Sequence, residues 1–330
     1  MIKEVTLKGF KSFYEETLRI SQLTVLTGLN SSGKSSVMQA LRMLERHYYG
    51  KNPILSGHGT VEELKNSFYG EPYSIEATYD YNRKDFYVGI GEKARTSEEI
   101  AMFPRIIYIS ADRFGPRTSI PIDASHELGS RGENVLKCID YYANEEIDYH
   151  LHHEDSEGDT FEYNVRAWLN AISPGVKFKS EIHTMADMSY SLFDGHRAMN
   201  VGFGLSYTLP IIVALFIGTL EKNTIVMIEN PEAHLHPKGQ TEMARLICSA
   251  VDAGVQVLVE THSDHLYDGI RIYAKQHSGF ATKVGTHWFE LDSHRLTHVE
   301  SPMMDDDGSL DQWPAGMFDQ FGINTTILLS

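Results

Sequence analysis

Cysteine is nearly absent from this chain. Cys138 and Cys248 are the two in 330 residues, too few and too far apart for a disulfide framework or a zinc cluster, which points to a reducing cytoplasm. No apolar run reaches the about 20 residues of a membrane-spanning helix. The longest, Leu209 to Leu220, reads as a buried helix. Met1-Ile2-Lys3-Glu4-Val5 alternates like a strand and lacks the apolar core of a signal peptide, so neither signal peptide nor membrane contact is expected. Coiled-coil heptads, internal repeats and low-complexity tails are missing as well, which excludes long arms and solenoids. Positive charge is in deficit. With 29 basic against 45 acidic residues the net charge is −16, so high-affinity DNA binding by this chain alone is disfavoured. What remains, 42% hydrophobic and 22% charged, is an ordinary globular composition with ample material for a core.

The most informative stretch is Gly28-Leu29-Asn30-Ser31-Ser32-Gly33-Lys34-Ser35-Ser36. It follows the β-rich run Leu23–Thr27. It precedes a helical pattern in which Val37, Ala40, Leu41 and Leu44 share one face. Strand, glycine loop and helix form the context of a phosphate-binding loop. Gly28 and Gly33 let the backbone curl until successive N–H groups converge on phosphate oxygens. The helix N-terminus adds its dipole, Lys34 a point charge, and the Ser35 hydroxyl suits Mg²⁺. These residues imply nucleoside triphosphate binding, with ATP and Mg²⁺ the expected ligands.

Further along, Ile2–Leu7 and Glu16–Ile20 read as antiparallel strands around the turn Gly9-Phe10-Lys11-Ser12-Phe13. Tyr73–Tyr79 with Phe86–Ile90 reads as a hairpin, and Arg105–Ile109 as a short strand. From Ser125 to Ala171 the pattern is helical and acidic. Thr224–Glu229 and Val255–Glu260 read as buried strands, each ending in a carboxylate, with a helix over Lys238–Asp252 between them. That unit implies parallel pairing in a layered α/β core. Two more strands are expected after Lys283.

Ile225-Val226-Met227-Ile228-Glu229 has the form of a strand delivering an acid to Mg²⁺. It continues into Asn230-Pro231-Glu232-Ala233-His234-Leu235-His236-Pro237 and, later, Glu260-Thr261-His262-Ser263. With the Gly9–Phe13 turn and Trp313-Pro314-Ala315-Gly316-Met317-Phe318-Asp319-Gln320, these motifs resemble ABC-class ATPase heads of the SMC/RecF/OLD-like branch. Within it the chain is most similar to stand-alone prokaryotic AAA-type ATPases with a small C-terminal domain of unknown function. The resemblance implies an α/β fold: an ABC-type head over 1–282 with an antiparallel β lobe, a mixed α/β core and a helical lobe over about 125–216, followed by a C-terminal extension over 283–330. It also implies that Asn200–Tyr207, with Gly202, Gly204 and Ser206, occupies the signature position that caps the ATP of the opposite subunit. Ser206 is expected at the start of the helix that follows. His262 falls at the switch histidine.

The chain departs from that pattern at one position. The usual second acid, which positions the attacking water, is Asn230 here, and an amide accepts no proton. Glu260, on the neighbouring strand end, is the favoured substitute, with Glu232 next. His234 and His236 are read as part of a coupling loop rather than as metal ligands. The His150–Asp155 cluster is read as solvated, and Asp305-Asp306-Asp307 as a surface turn. Arg113 and Arg117 are candidates for contact with phosphate or a partner. The expected protein is a slow ATPase acting as a head-to-tail homodimer that regulates a protein effector, such as a nuclease, in anti-phage defence or DNA maintenance. A DNA-binding clamp acting alone and a nuclease in its own right are the rival readings.

Overall fold

The structure is a computed structural model describing residues 1–99, 101–122 and 125–330. It comprises two compact units interleaved in sequence, one of Met1–Ile106 with Ala274–Ser330 and one of Ile107–Tyr273. In chain order the elements are β1 (Ile2–Phe10), β2 (Phe13–Arg19), β3 (Leu23–Gly28), α1 (Lys34–Tyr48), β4 (Ser74–Tyr81), β5 (Lys84–Ile90) and β6 (Arg105–Ile109). The second unit continues with β7 (Ile120–Pro121), α2 (Val135–Tyr142), α3 (Phe161–Ile172), β8 (Phe178–His183), β9 (Met188–Phe193) and β10 (His196–Arg197). Then follow α4 (Phe203–Leu220), β11 (Thr224–Glu229), α5 (Pro237–Asp252) and β12 (Gln256–Glu260). The helix α6 (Asp264–Gln276) leads back to β13 (Val284–Leu291), β14 (Thr297–Glu300) and α7 (Gln320–Leu329).

In the first unit, β2, β1, β4 and β5 form an antiparallel sheet in that order. The β1–β2 turn is tighter than the sequence suggests. Phe10 pairs with Phe13, so only Lys11 and Ser12 turn, with Lys11 at a φ of 52°. Gly9 belongs to the strand. It lies against the Tyr69 ring, which a Cβ there would meet at 2.3 Å. A register shift between Ile2 and Glu4 lets Ile2 and Val5, three residues apart, both face inward. Beside this sheet, β13 runs parallel to β3 and antiparallel to β14. The triple aspartate is the expected surface turn: Gly308 N–H donates to the Asp305 carbonyl and Ser309 N–H to the Asp307 carboxylate.

The second unit is organised around α4. Its residues Thr208 to Gly218 are buried without interruption, as a helix apolar on every side must be. In length and hydropathy α4 is a helix that would cross a membrane, yet 67% of it is buried inside the unit, where it serves as the core helix. Phe216 meets Phe161 of α3 edge-on at 5.3 Å. Gly218 admits Val226 and Val255 to the helix surface, where a Cβ would sit 2.9 and 3.1 Å from them. β11 and β12 pair in parallel, and β6 lies on the other side of β11.

The expected helical lobe over 125–216 is only partly helical. Residues 178–197 form an antiparallel sheet in which β9 pairs with β7, β8 and β10. Its strands bury few side chains. Phe178, Ser189 and Phe193 are inside, while Tyr190 stacks on His183 at the surface. An apolar pattern was therefore never available to reveal it.

Trp168 of α3 is 1% exposed. Its indole N–H donates to the Leu151 carbonyl (2.7 Å), and its ring packs against His153 (5.0 Å) and beneath the Arg245 guanidinium (4.4 Å). This holds the 149–155 segment, including the histidine cluster, onto α3 and α5. Trp168→Ala is expected to cost about 3–5 kcal/mol. Trp168→Phe, which loses chiefly the indole donor, is expected to cost about 1–3 kcal/mol. Urea unfolding of both variants checks the order and the size of the two losses.

Candidate functional site

β3 is buried along its whole length and ends at Gly28, whose φ of 138° is closed to ordinary side chains. A Cβ there would lie 2.1 Å from the Phe289 carbonyl oxygen, so only glycine lets the loop leave the strand against β13. Gly33, at a φ of 112°, ends the loop at the N-terminus of α1. A Cβ there would be 2.8 Å from both the Phe13 ring and Thr297 Oγ1. The Thr297 hydroxyl donates to the Ser32 carbonyl (2.8 Å) and lies 2.7 Å from the Ser12 hydroxyl. The tight β1–β2 turn thus braces the loop.

Lys34 is 3% exposed, and its ammonium is held by the carbonyls of Gly28 (3.1 Å) and Leu29 (2.6 Å). Ser36 is buried, whereas Asn30, Ser31 and Ser35 face solvent. Among the described residues, the amides of Asn30, Ser31, Ser32 and Gly33 donate to no protein acceptor. Four successive unused donors, a fixed cation and a helix N-terminus form a cradle for an anion with several oxygens. A triphosphate fits that set, and the exposed Ser35 hydroxyl is of the type that ligates Mg²⁺.

In the second unit, Glu229 and Glu260 are direct register partners at the ends of β11 and β12. Glu229 accepts from Tyr108 O–H (2.7 Å) at one oxygen and from Ala111 N–H (2.9 Å) at the other. Glu260 is buried, and its carbonyl accepts Asn230 N–H at 2.8 Å. Asn230 turns the chain with a φ of 45°, a conformation asparagine tolerates better than glutamate. The chain then folds back, so that Glu232 Oε1 accepts His262 N–H at 2.8 Å. The His262 ring itself is exposed. Glu229, Asn230, Glu260 and His262 are therefore brought together, with Glu232 among them.

At the signature position, α4 starts earlier than expected. Gly202 is the cap and Phe203 the first helical residue. Ser206 lies inside the first turn and lines a small pocket with Phe114, Leu136 and Tyr190 instead of capping the helix. Gly202 is exposed with open space around it, whereas a Cβ on Gly204 would lie 2.8 Å from the His234 carbonyl oxygen. His234 packs between Phe203 (5.5 Å) and Tyr207 (4.7 Å), and His236 caps α5 by accepting Lys238 N–H. Both imidazoles have structural places. The other histidine cluster is likewise engaged, since His153 is buried against Arg245.

Sequence reasoning missed Tyr108 and Ala111. The strand Arg105–Ile109 was visible, but its position beside the acid was not. It also left Arg113 open. That side chain is 1% exposed and engages protein carbonyls. Arg117 stacks on Phe114 at 3.7 Å.

Residues 1–101 and 133–267 match the AAA ATPase domain family, well over half of the chain, and the protein belongs to that family. Residues 281–328 match a family described as a protein of unknown function, DUF3696. The Old nuclease of Escherichia phage P2 is 19% identical over 329 aligned residues, covering 79% of this chain and 56% of that protein. The chain thus spans little more than half the length of that curated relative. Among solved structures, an SMC head bound to the C-winged helix domain of ScpA superposes with a TM-score of 0.56 at 15% identity, covering 92% of this chain and 98% of that one. An SMC head with an extended coiled coil, bound to the C-terminal domain of ScpA from Pyrococcus furiosus, gives 0.55 at 12% identity, with 99% of each chain covered. The fold is that of the SMC head: mixed α/β, with several sheets.

Burial raises the pKa of Glu232, opposed by the His262 amide, the Thr261 side chain and Arg113. A carboxyl that holds its proton more tightly when folded makes the native state bind more protons than the unfolded one. Its effect on stability is therefore unfavourable once pH rises above the ordinary glutamate value, and grows until the raised pKa is passed. Glu232→Gln, which keeps an acceptor for His262 N–H, is expected to flatten that fall and to leave the protein more stable at neutral pH. Thermal melts of both proteins from pH 4 upward check this.

Proposed function

We propose that this ATPase of the SMC/OLD type binds ATP at the Gly28–Ser36 loop and hydrolyses it slowly. On this reading it works as a nucleotide-gated, head-to-tail dimer that regulates a protein effector, in anti-phage defence or DNA maintenance, within the cytoplasm. The observation that carries the reading is the run of four unused amides ahead of the buried Lys34 ammonium. Family membership supports the chemistry. The ScpA domains held by SMC heads of the same fold motivate a protein partner here.

In this reading Lys34 and the loop amides take the phosphates, while Ser35 and Glu229 are ligands for Mg²⁺, which when bound neutralises phosphate charge. Glu260 is the base in place of Asn230, and His262 meets the γ-phosphate. Gly202 and Gly204 present the start of α4 to the nucleotide of the second copy, with Ser206 behind them in the first turn. Phosphoryl transfer depends mainly on positioning and charge neutralisation, so a missing second acid slows turnover without abolishing it. The likeness to Old nuclease favours one second reading, nuclease activity in the chain itself. Plasmid cleavage by the purified protein with Mn²⁺ decides for or against it.

Lys34→Ala is expected to bring ATP affinity below detection by calorimetry, and wild-type affinity in that variant would remove the phosphate-loop assignment. ATP is expected to raise the dimer fraction in light scattering. Gly202→Asp should block this, because its carboxylate faces open space and would meet an anionic nucleotide. Gly204→Asp is a poorer probe, since its Cβ would collide with the His234 carbonyl.

Glu260→Gln is expected to lower single-turnover hydrolysis by about 10²–10⁴-fold with affinity retained. An unchanged rate transfers the base role to Glu232. Asn230→Asp supplies a carboxylate without the cost, about 1–2 kcal/mol, of holding glutamate in a left-handed backbone, and is expected to preserve or raise turnover.

A further inference from the structure

Arg113 has no part in the chemistry described so far, yet it is among the most completely buried large side chains of the protein. Its Nη1 donates to the carbonyls of Ser110 (2.9 Å) and Glu229 (2.7 Å), and its Nη2 to that of Asn230 (2.8 Å). No carboxylate oxygen lies within 4.0 Å of it among the described residues. Backbone carbonyls accept its hydrogen bonds. Burial lowers its pKa to about 10, so the guanidinium remains charged at neutral pH.

The guanidinium carbon lies 5.1 Å from the centre of the Tyr207 ring, in the second turn of α4. A second contact runs alongside. His234, in the loop that follows Asn230, packs on both Phe203 and Tyr207, and the Gly204 backbone abuts its carbonyl. The acid-bearing end of β11 and the start of α4 are thus joined twice within one unit. Only a planar fork with several donors reaches three carbonyls while presenting its face to a ring, which is why arginine is used and lysine would not serve.

The joint also leaves two buried polar atoms unpaired. Arg113 Nε and Glu232 Oε2 are both shielded from solvent and both without a hydrogen-bond partner. The Glu232 carboxylate favours the charged form of Arg113, against the larger effect of burial. A rearrangement that paired them would satisfy both, at the expense of the carbonyl contacts that fix Glu229 and Asn230. Two discrete arrangements of one packed joint are what a coupling element needs.

We propose that Arg113 is a positioning residue that couples the start of α4 to the acidic end of β11, so that nucleotide engaged at α4 by a second copy alters hydrolysis at this copy's own acids. The inference rests on the nucleotide-gated dimer proposed above and adds to it cooperativity between the two sites.

The test compares wild type with Arg113→Lys, which keeps the charge and loses the fork, and with Tyr207→Leu, which removes the ring face. For each protein, steady-state ATPase activity is measured against ATP concentration, with ATP affinity by calorimetry and dimer fraction by light scattering. Wild type is expected to show a Hill coefficient approaching 2, the limit for about two sites. Both variants are expected to fall to about 1, with monomer ATP affinity within about threefold and the ATP-induced dimer retained.

A cooperative Tyr207→Leu protein, or a wild type that dimerises with ATP and hydrolyses without cooperativity, overturns the coupling role and leaves the dimer standing. A wild type that neither binds ATP nor dimerises overturns the underlying reading, and the coupling with it. Should Arg113→Lys fail to fold, Tyr207→Leu alone carries the decision.

Discussion

β11 up to Ile228 and the whole of β12 are buried and run in the same direction, with Glu229 and Glu260 opposite one another at their last paired position. Parallel strands covered on both faces disfavour charged side chains along their length, so ionisable groups collect where the strands stop. β3 obeys the same rule in the other unit. Six buried residues, none of them charged, end at a glycine, and Lys34 follows only after the loop. The chemistry sits at strand ends because the interior of the sheet excludes it.

That constraint also governs which parts of the protein were legible in advance. Strands β11 and β12 read almost to the residue because a fully buried strand has to be an unbroken apolar run bounded by polar residues. Helix α5 read equally well from its single apolar face. The loop after β3 was legible because glycine at positive φ and a lysine at the helix start are local demands that no distant contact can relax. Residues 178–197 were opaque for the opposite reason. Their strands are half-exposed, their side chains are mixed, and their pairing is decided by neighbours that only the fold supplies. The start of α4 was misread through weight given to a serine, where Gly202, in extended conformation, is the cap.

The site itself divides in the same way. The acids, the histidine and the signature segment could be picked out by residue type and order. The groups that hold them could not. Tyr108, Ala111 and Arg113 come from a segment more than a hundred residues earlier in the chain and act through a hydroxyl, an amide and a buried guanidinium. None of those roles leaves a mark in local pattern. Arg113 shows this most clearly, because an arginine after a strand looks like a ligand for phosphate until its burial is seen.

The manner in which the carboxylates are held bears on why turnover should be slow and gated. Both oxygens of Glu229 are already engaged by protein donors, Glu260 is shielded from water, and Glu232 has one oxygen tied to the His262 amide. Glu229 and Glu232 are half-buried and Glu260 is buried. On the proposed reading hydrolysis needs these contacts to rearrange, and the start of α4 is packed on the cluster and presented to a second molecule in the proposed dimer. Asn230 fits the same economy. In its left-handed turn it shapes the loop that carries Glu232 and His234 back toward β12 and α4, a task for which an asparagine is better suited than the glutamate it replaces. The position thus favours a well-formed joint over a ready base, in keeping with the slow, gated turnover proposed above.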